Sequence, residues 1–227
     1  MLAELAKPYN IKITKEQEEK FLQFYELLVF WNKKINLTTI TEKNDIYIKH
    51  FLDSIYLSKY VSGKGIDIGT GAGFPGVPLS IMNEELDITL LDSLHKRCKF
   101  LEEVRKELNL NFEIIWGRAE EEARKKEYRE RFDFAVSRAV APLGMLAEYC
   151  IPYVKLGGTF YAMKGMKAQE EVEDAKEIVT KLGGGIPIIT KYQLPDKNVH
   201  NIIEIGKINE TPDMYPRSLK RIKKSAN

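Results

Sequence analysis

Residues 67 to 76 read Asp67-Ile68-Gly69-Thr70-Gly71-Ala72-Gly73-Phe74-Pro75-Gly76. Glycines at this density let the main chain turn sharply and let a ligand approach it closely. The run follows a short apolar segment and opens a helical one, where unpaired backbone N–H groups gather for a ligand. Asp92 ends the next apolar segment, and a carboxylate there can accept hydrogen bonds from both hydroxyls of a ribose. Two cofactor chemistries share these parts. Dinucleotides use G-x-G-x-x-G, which Gly71, Gly73 and Gly76 satisfy. S-adenosylmethionine sites favour an acidic residue before G-x-G-x-G, which Asp67, Gly69, Gly71 and Gly73 satisfy. The second frame is the better placed. Its first glycine directly ends the strand, and Asp67 can meet a cationic amino-acid tail, whereas a pyrophosphate gains nothing from a carboxylate.

Elements of two kinds must hold these residues. Thr14 followed by Gln17 is a capping box. Phe21, Phe24, Tyr25, Leu28 and Trp31 then recur at helical spacing. A second helix is expected from about Asn44 to Tyr60, so the first sixty or so residues form a helical cap. Within it His50 and Asp53 share a helix face, the spacing of a structural pair. From Gly65 strand and helix alternate. Strands are expected at 65–68, 87–91, 112–116, 132–137 and 158–164, with helices at 75–82, 94–108, 120–128, 143–154 and 169–182. Strands at 186–193 and 200–206 form a hairpin at the sheet edge. Such alternation specifies an α/β fold with a doubly wound, mostly parallel sheet. The expected organisation is a cap over residues 1–62, the main domain over 63–210 and a basic tail over 211–227. The motifs fall at the carboxyl ends of the strands, where such sheets bind ligands.

The chain has 227 residues, 35 of them basic and 33 acidic, for a net charge of +2. That balance excludes a protein coated in positive charge but allows a local basic face. Lys220, Arg221, Lys223 and Lys224 concentrate charge in the tail. Cys98 and Cys150 stand in no metal-binding or disulfide spacing and read as buried thiols in a reducing compartment. No metal-ligand cluster, signal peptide or membrane span is evident. The expectation is a cytoplasmic monomer.

The motifs together resemble a known family. Trp31-Asn32 with Asn36-Leu37-Thr38, His50-Phe51-Leu52-Asp53-Ser54, Asp67 to Gly76, Leu91-Asp92-Ser93, Ser137-Arg138-Ala139, Lys164-Gly165 and Tyr215-Pro216-Arg217 occur in this order. The series is similar to that of the RsmG family, also called GidB or glucose-inhibited division protein B, whose members are 16S ribosomal RNA guanine-N7 methyltransferases. The resemblance runs from about Leu27 to Arg217. It implies a class I S-adenosylmethionine-dependent methyltransferase with a Rossmann-like sheet. It places the donor against Gly69 and Phe74, its ribose on Asp92 with Ser93 and Leu94 beside it, and its adenine near Ala119 and Glu120. Arg138 is implied at the junction of donor and target base. The chain departs from the family after Arg217, where Ser218 to Asn227 lacks the usual proline-glycine pattern.

The implied chemistry needs little acid–base machinery. Guanine N7 carries a lone pair in the ring plane and no proton, so the enzyme aligns donor and acceptor and holds the base still. Arg138 is the candidate catalytic residue, because a guanidinium can grip guanine O6 or a phosphate while leaving N7 free. Lys33, Lys34, Lys164 and Arg217 are candidates for contact with 16S ribosomal RNA or the small ribosomal subunit, and Lys49 could extend the cap's RNA-facing surface. Two other readings remain open: a nicotinamide-dependent oxidoreductase, and a non-catalytic RNA-binding assembly factor on a methyltransferase fold.

Overall fold

The computed structural model describes residues 1–138 and 141–225, without the side chains of 223–225. Ala139 of the Ser137-Arg138-Ala139 motif and the side chains of Lys223 and Lys224 lie outside the described residues.

The expected sheet forms. Its strands are β1 (Lys64–Ile68), β2 (Asp87–Asp92), β3 (Phe112–Trp116), β4 (Phe132–Arg138), β5 (Val154–Lys164), β6 (Ile188–Gln193) and β7 (Val199–Gly206). Their order across the sheet is β3-β2-β1-β4-β5-β7-β6. Strands β1 to β5 run parallel, whereas β7 is antiparallel to both β5 and β6. The terminal hairpin thus inserts β7 beside β5 and leaves β6 at the edge. The chain winds outward from β1 to β3, then crosses back to β4, so the order reverses between β1 and β4. That switch point opens a crevice at the strands' carboxyl ends, and Gly69 and Arg138 both stand on its rim.

Two apolar layers cover the sheet. One packs the helices Leu143–Cys150 and Ala168–Lys181 against Ile66, Ile68, Ala135 and Phe160. The other joins the N-terminal helices to Ile88, Leu90, Val136 and Met163 on the opposite face. The alternation along β1 decides where Asp67 goes: Ile66 and Ile68 face the first layer, so Asp67 faces the second.

The long helix Lys15–Ile35 begins with the expected capping box. Thr14 Oγ1 accepts from Gln17 N, and Gln17 Oε1 accepts from Thr14 N at 2.9 Å. Gln17 also donates to the carbonyl of Met82 at 3.0 Å, tying this helix to Gly76–Met82, the helix that the glycine run opens. The second helix is not uniform. Lys43–Asp45 leads into a π-helical stretch, Ile46–Leu52, then Asp53–Tyr56 and a 3₁₀ turn. Wide π turns re-aim side chains, and here the segment presents His50 and Asp53 to β4. The helix expected at 120–128 is a single turn, Ala119–Glu122. Arg124 and Arg129 beyond it donate instead to main-chain carbonyls between Thr211 and Pro216, a tertiary demand that overrides local propensity. The short helices Leu2–Ala6 and Leu219–Ser225 carry no signal that the sequence made legible.

Candidate functional site

Gly69, Gly71 and Gly73 adopt φ of +71°, +63° and +89°, a left-handed region costly to residues with a Cβ. The turn they make hangs on Asp67 and Asp92. Asp67 is fully buried. Its Oδ2 accepts from the Thr70 hydroxyl at 2.7 Å and from Gly76 N at 2.8 Å. Its Oδ1 is buried with no hydrogen-bond partner among the described residues. Burial outweighs those two bonds and pushes the carboxyl up to about 6. Asp92 Oδ2 accepts from Gly71 N at 2.9 Å and Arg97 at 3.2 Å, and Oδ1 accepts from Leu94 N at 2.8 Å. Ser93 and Leu94 beside it are exposed. At the neighbouring end of β3, the Ala119 carbonyl accepts from the Tyr153 hydroxyl at 2.8 Å, and buried Glu120 lies 3.9 Å from Arg118.

In front of the turn lies a cleft of about 950 Å³. Gly69, Thr70, Gly71, Phe74 and Arg97 line it. Thr38, Lys49, His50, Lys164, Lys167 and His200 line it too, and Arg138 stands among them. Arg138 is held from several directions. Its Nη1 lies 3.1 Å from Asp53 Oδ2 and 3.2 Å from the Lys49 carbonyl, and its Nη2 lies 3.1 Å from His50 Nδ1. The guanidinium sits 4.9 Å above the Phe74 ring, and His50 stacks on the same ring at 4.6 Å. Because Arg138 can only donate, His50 Nδ1 accepts. The Nε2–H therefore donates to Thr38 Oγ1 at 2.9 Å. Burial and the Arg138 charge depress this imidazole to about 3, so it stays neutral at physiological pH.

Gly69, Gly71, Phe74, Arg138 and Lys164 of the expected set thus meet at one cleft. Asp67 and Gly73 lie in the turn behind it; Asp92, Ser93, Leu94, Ala119 and Glu120 do not line it but follow the ends of β2 and β3, with Asp92 joined to the cleft through Gly71 and Arg97. The remaining basic candidates are placed differently. Lys164 is almost enclosed and donates to the Ala141 carbonyl at 2.5 Å and Glu171 at 2.7 Å. Arg217 lies away from the cleft, paired with Glu148 at 2.7 Å. Lys33 and Lys34 are exposed near the end of the long helix, with Lys34 4.0 Å above Phe30. Sequence reading did not single out Arg97, Lys167 or His200 as part of the cleft. Arg97 falls five residues after Asp92, within reach of it once a helix begins between them. His200 had no such signal, since only the pairing of Tyr192 with His200 across the β6–β7 hairpin brings it beside Asp53.

Comparison with known proteins agrees with this arrangement. Residues 17–199 match the model of the family described as rRNA small subunit methyltransferase G. The chain is 46% identical over 230 residues to a ribosomal RNA small subunit methyltransferase G of Clostridium botulinum (strain Alaska E43 / Type E3), covering 99% of this chain and 96% of that protein. It is 48% identical over 223 residues to the protein of the same name from Alkaliphilus oremlandii (strain OhILAs), covering 96% and 93%. Among solved structures it is similar to a SAM-dependent methyltransferase from Aquifex aeolicus, with a TM-score of 0.54 at 14% identity over 75% of this chain and 96% of that one. A SAM-dependent O-methyltransferase from Thermotoga maritima gives a TM-score of 0.52 at 13% identity, over 82% and 73%. These two likenesses speak to the fold alone. With glycine turn, paired carboxylates and cleft arranged on such a sheet, and with a family match spanning most of its length, the chain belongs to the rRNA small subunit methyltransferase G family.

Proposed function

We propose that this protein transfers a methyl group from S-adenosylmethionine to N7 of a guanine in 16S ribosomal RNA. The observation that carries the reading is the cleft itself, lined by the glycine turn and by basic and imidazole groups, with the Asp92 carboxylate bonded to Gly71 of that turn.

The residues present fit the donor. The unpartnered Asp67 Oδ1 is an orphaned buried anion behind the turn, suited to the ammonium of an amino-acid tail. A Cβ built on Gly71 would meet only the Gly69 carbonyl, at 3.9 Å, so the turn leaves open space for a ligand. Asp92 would take the ribose hydroxyls in exchange for Arg97, with Ser93 and Leu94 flanking the nucleoside and Ala119 and Glu120 at the adenine. The donor supplies an electrophilic methyl group on a sulfonium. The protein supplies position. N7 needs no base, and the neutral His50 is poised as a brace for Arg138. Arg138 is the proposed target-handling group, fixed by Asp53 and His50 at the wall of the cleft. Phe74 beneath both keeps water from that point. Alignment of this kind accounts for several kcal/mol of a transfer barrier, roughly 7–11 at best. An oxidoreductase reading is not favoured, because a bare carboxylate oxygen behind the turn opposes a pyrophosphate.

The same reading uses residues 1–62 as a cap, 63–210 as the catalytic portion and 211–227 as a basic tail. Exposed Lys33 and Lys34 serve as RNA-facing charge, Lys164 and Arg217 would reach RNA only by leaving Glu171 and Glu148, and the working form is a monomer in the cytoplasm. Among the described residues no helix is long and apolar enough to cross a membrane.

The test is transfer of tritium from S-adenosylmethionine to small ribosomal subunits, or to 16S RNA, from cells lacking the modification. Label is expected in 7-methylguanosine. Asp92→Ala should weaken donor binding by about 100-fold or more, the equivalent of two hydrogen bonds to a charged group. Donor binding without label in any RNA would refute the reading.

A further inference from the structure

Asp53 is buried, and its two oxygens serve different partners. Oδ2 receives Arg138, whereas Oδ1 receives the Tyr192 hydroxyl at 2.6 Å and His200 Nδ1 at 3.1 Å. A carboxylate on Nδ1 fixes the imidazole and leaves Nε2 as its working end. His200 lines the cleft, yet its Nε2 is buried with no hydrogen-bond partner among the described residues. Three of the neighbouring cations are engaged within the protein, Lys49 with Asp45 at 2.8 Å, Lys164 with Glu171 at 2.7 Å and Arg97 with Asp92 at 3.2 Å, and Lys167 is exposed. A buried polar atom without a partner calls for an explanation, and at the wall of a substrate cleft an incoming ligand atom is the direct one.

We propose that His200 is a contact residue for the RNA substrate, its Nε2–H donating to a phosphate oxygen of the target nucleotide while Asp53 holds the ring. The proposal rests on the reading of the protein as an RNA methyltransferase. A phosphate is the partner that the surroundings select. Asp53 favours the protonated ring and lifts its proton affinity above the ordinary histidine value. Asp196 in the β6–β7 turn acts in the same sense, and burial and Arg138 oppose them. Tyr192, facing from β6, keeps its proton because burial and Asp53 raise it. His50, on the far side of Arg138, stays neutral and does not compete for the anion. An imidazolium is a donor only, so it cannot bind the N–H groups of the guanine edge; O6 falls to Arg138, and N7 itself must point at the methyl group. A phosphate contact fixes the nucleotide in register without taking part in the transfer. It therefore acts on KM for RNA and leaves kcat alone.

The experiment measures methyl transfer into unmodified small subunits at saturating S-adenosylmethionine, from about pH 6 to pH 8.5. It compares the wild type with His200→Gln and His200→Arg. S-adenosylhomocysteine affinity and donor-free retention of 16S RNA on filters are measured on the same samples. In the wild type, KM for RNA should rise as pH passes upward through the titration of His200. His200→Gln should abolish that rise and increase KM at the acidic end by about tenfold, the worth of one charge-assisted hydrogen bond. His200→Arg should keep KM low at all pH values, and kcat and S-adenosylhomocysteine affinity should match the wild type in both variants. The proposal is overturned if His200→Gln keeps the wild-type KM and pH profile. It is also overturned if that variant loses kcat or donor affinity at unchanged KM, which would make the ring only a brace for Arg138. Filter retention that follows pH and His200, with no label incorporated by the wild type, would uphold the contact and remove the methylation reading.

Discussion

Asp67 and Asp92 end neighbouring parallel strands, but their settings differ. Asp92 has donors on both oxygens, one of them the partly exposed Arg97. Asp67 has both donors on one oxygen and none on the other. Burial then holds its carboxyl at about 6, above the ordinary 3.8. A folded-state value above the unfolded one stabilises the fold fully only below the unfolded value, and that contribution is lost as pH rises through about 6. The free protein should therefore lose stability through this group between about pH 4 and pH 6. Calorimetry of Asp67→Asn should show that part of the pH dependence removed. The donor's ammonium prefers the ionised carboxylate, so donor affinity should move the other way. Titration calorimetry with S-adenosylhomocysteine should find binding about tenfold weaker at pH 5 than at pH 7, and a pH-independent, weaker affinity for Asp67→Asn. The positions of the two acids, before the glycine run and at the end of the next strand, could be read in sequence. The bare oxygen could not, because it depends on where Thr70 and Gly76 point after the turn has closed.

Elements carry these residues through one aromatic cluster. Phe24, on the long N-terminal helix, is fully buried with ring centres 5.5 Å from Phe51, 5.3 Å from Phe74 and 6.4 Å from Phe100. Through Phe74 this helix bears on the underside of Arg138 and His50. Phe24→Ala should cost about 3–5 kcal/mol of stability, as buried aromatic truncations do, and should weaken S-adenosylhomocysteine binding, since Phe74 loses its backing. Thr14→Ala, at the start of the same helix, removes the cap alone. It should cost about 1 kcal/mol and leave donor affinity unchanged; denaturant unfolding and binding on the two variants separate packing from capping. Apolar periodicity and the capping box made this helix legible in sequence. So did the alternation of strand and helix that orders the parallel strands. Periodicity did not reveal the π-helical stretch at Ile46–Leu52, since a single widened turn barely changes the spacing of apolar residues. The helix expected over 120–128 was lost to carbonyls some eighty residues further on, a competition no local pattern records. His200 became part of the cleft only through strand pairing.

At the scale of the whole molecule, a net charge of +2 leaves RNA affinity to local charge. Exposed Lys33 and Lys34 are the proposed contacts on the cap. Replacing both with alanine should lower the slope of log affinity against log salt by about 1.4 to 1.8, at roughly 0.7–0.9 per phosphate neutralised, with donor affinity unchanged; filter binding across a salt series measures it. The cap is also bound to the rest by its core. Phe21, Phe24, Phe51 and Ile55 are fully buried in the same apolar layer as Ile88, Val136 and Ile202 of the sheet. Without residues 1–62, that face of β1, β2, β4 and β7 would meet water. Patches beyond a few hundred Å² are rarely tolerated by soluble monomers. The glycine turn would also lose the layer beneath Phe74. The fragment 63–227 should therefore aggregate or bind a hydrophobic dye strongly, melt without a cooperative transition, and fail to bind S-adenosylhomocysteine. A sharp thermal transition with retained binding would instead show that the catalytic portion folds alone and that the cap serves the RNA side only.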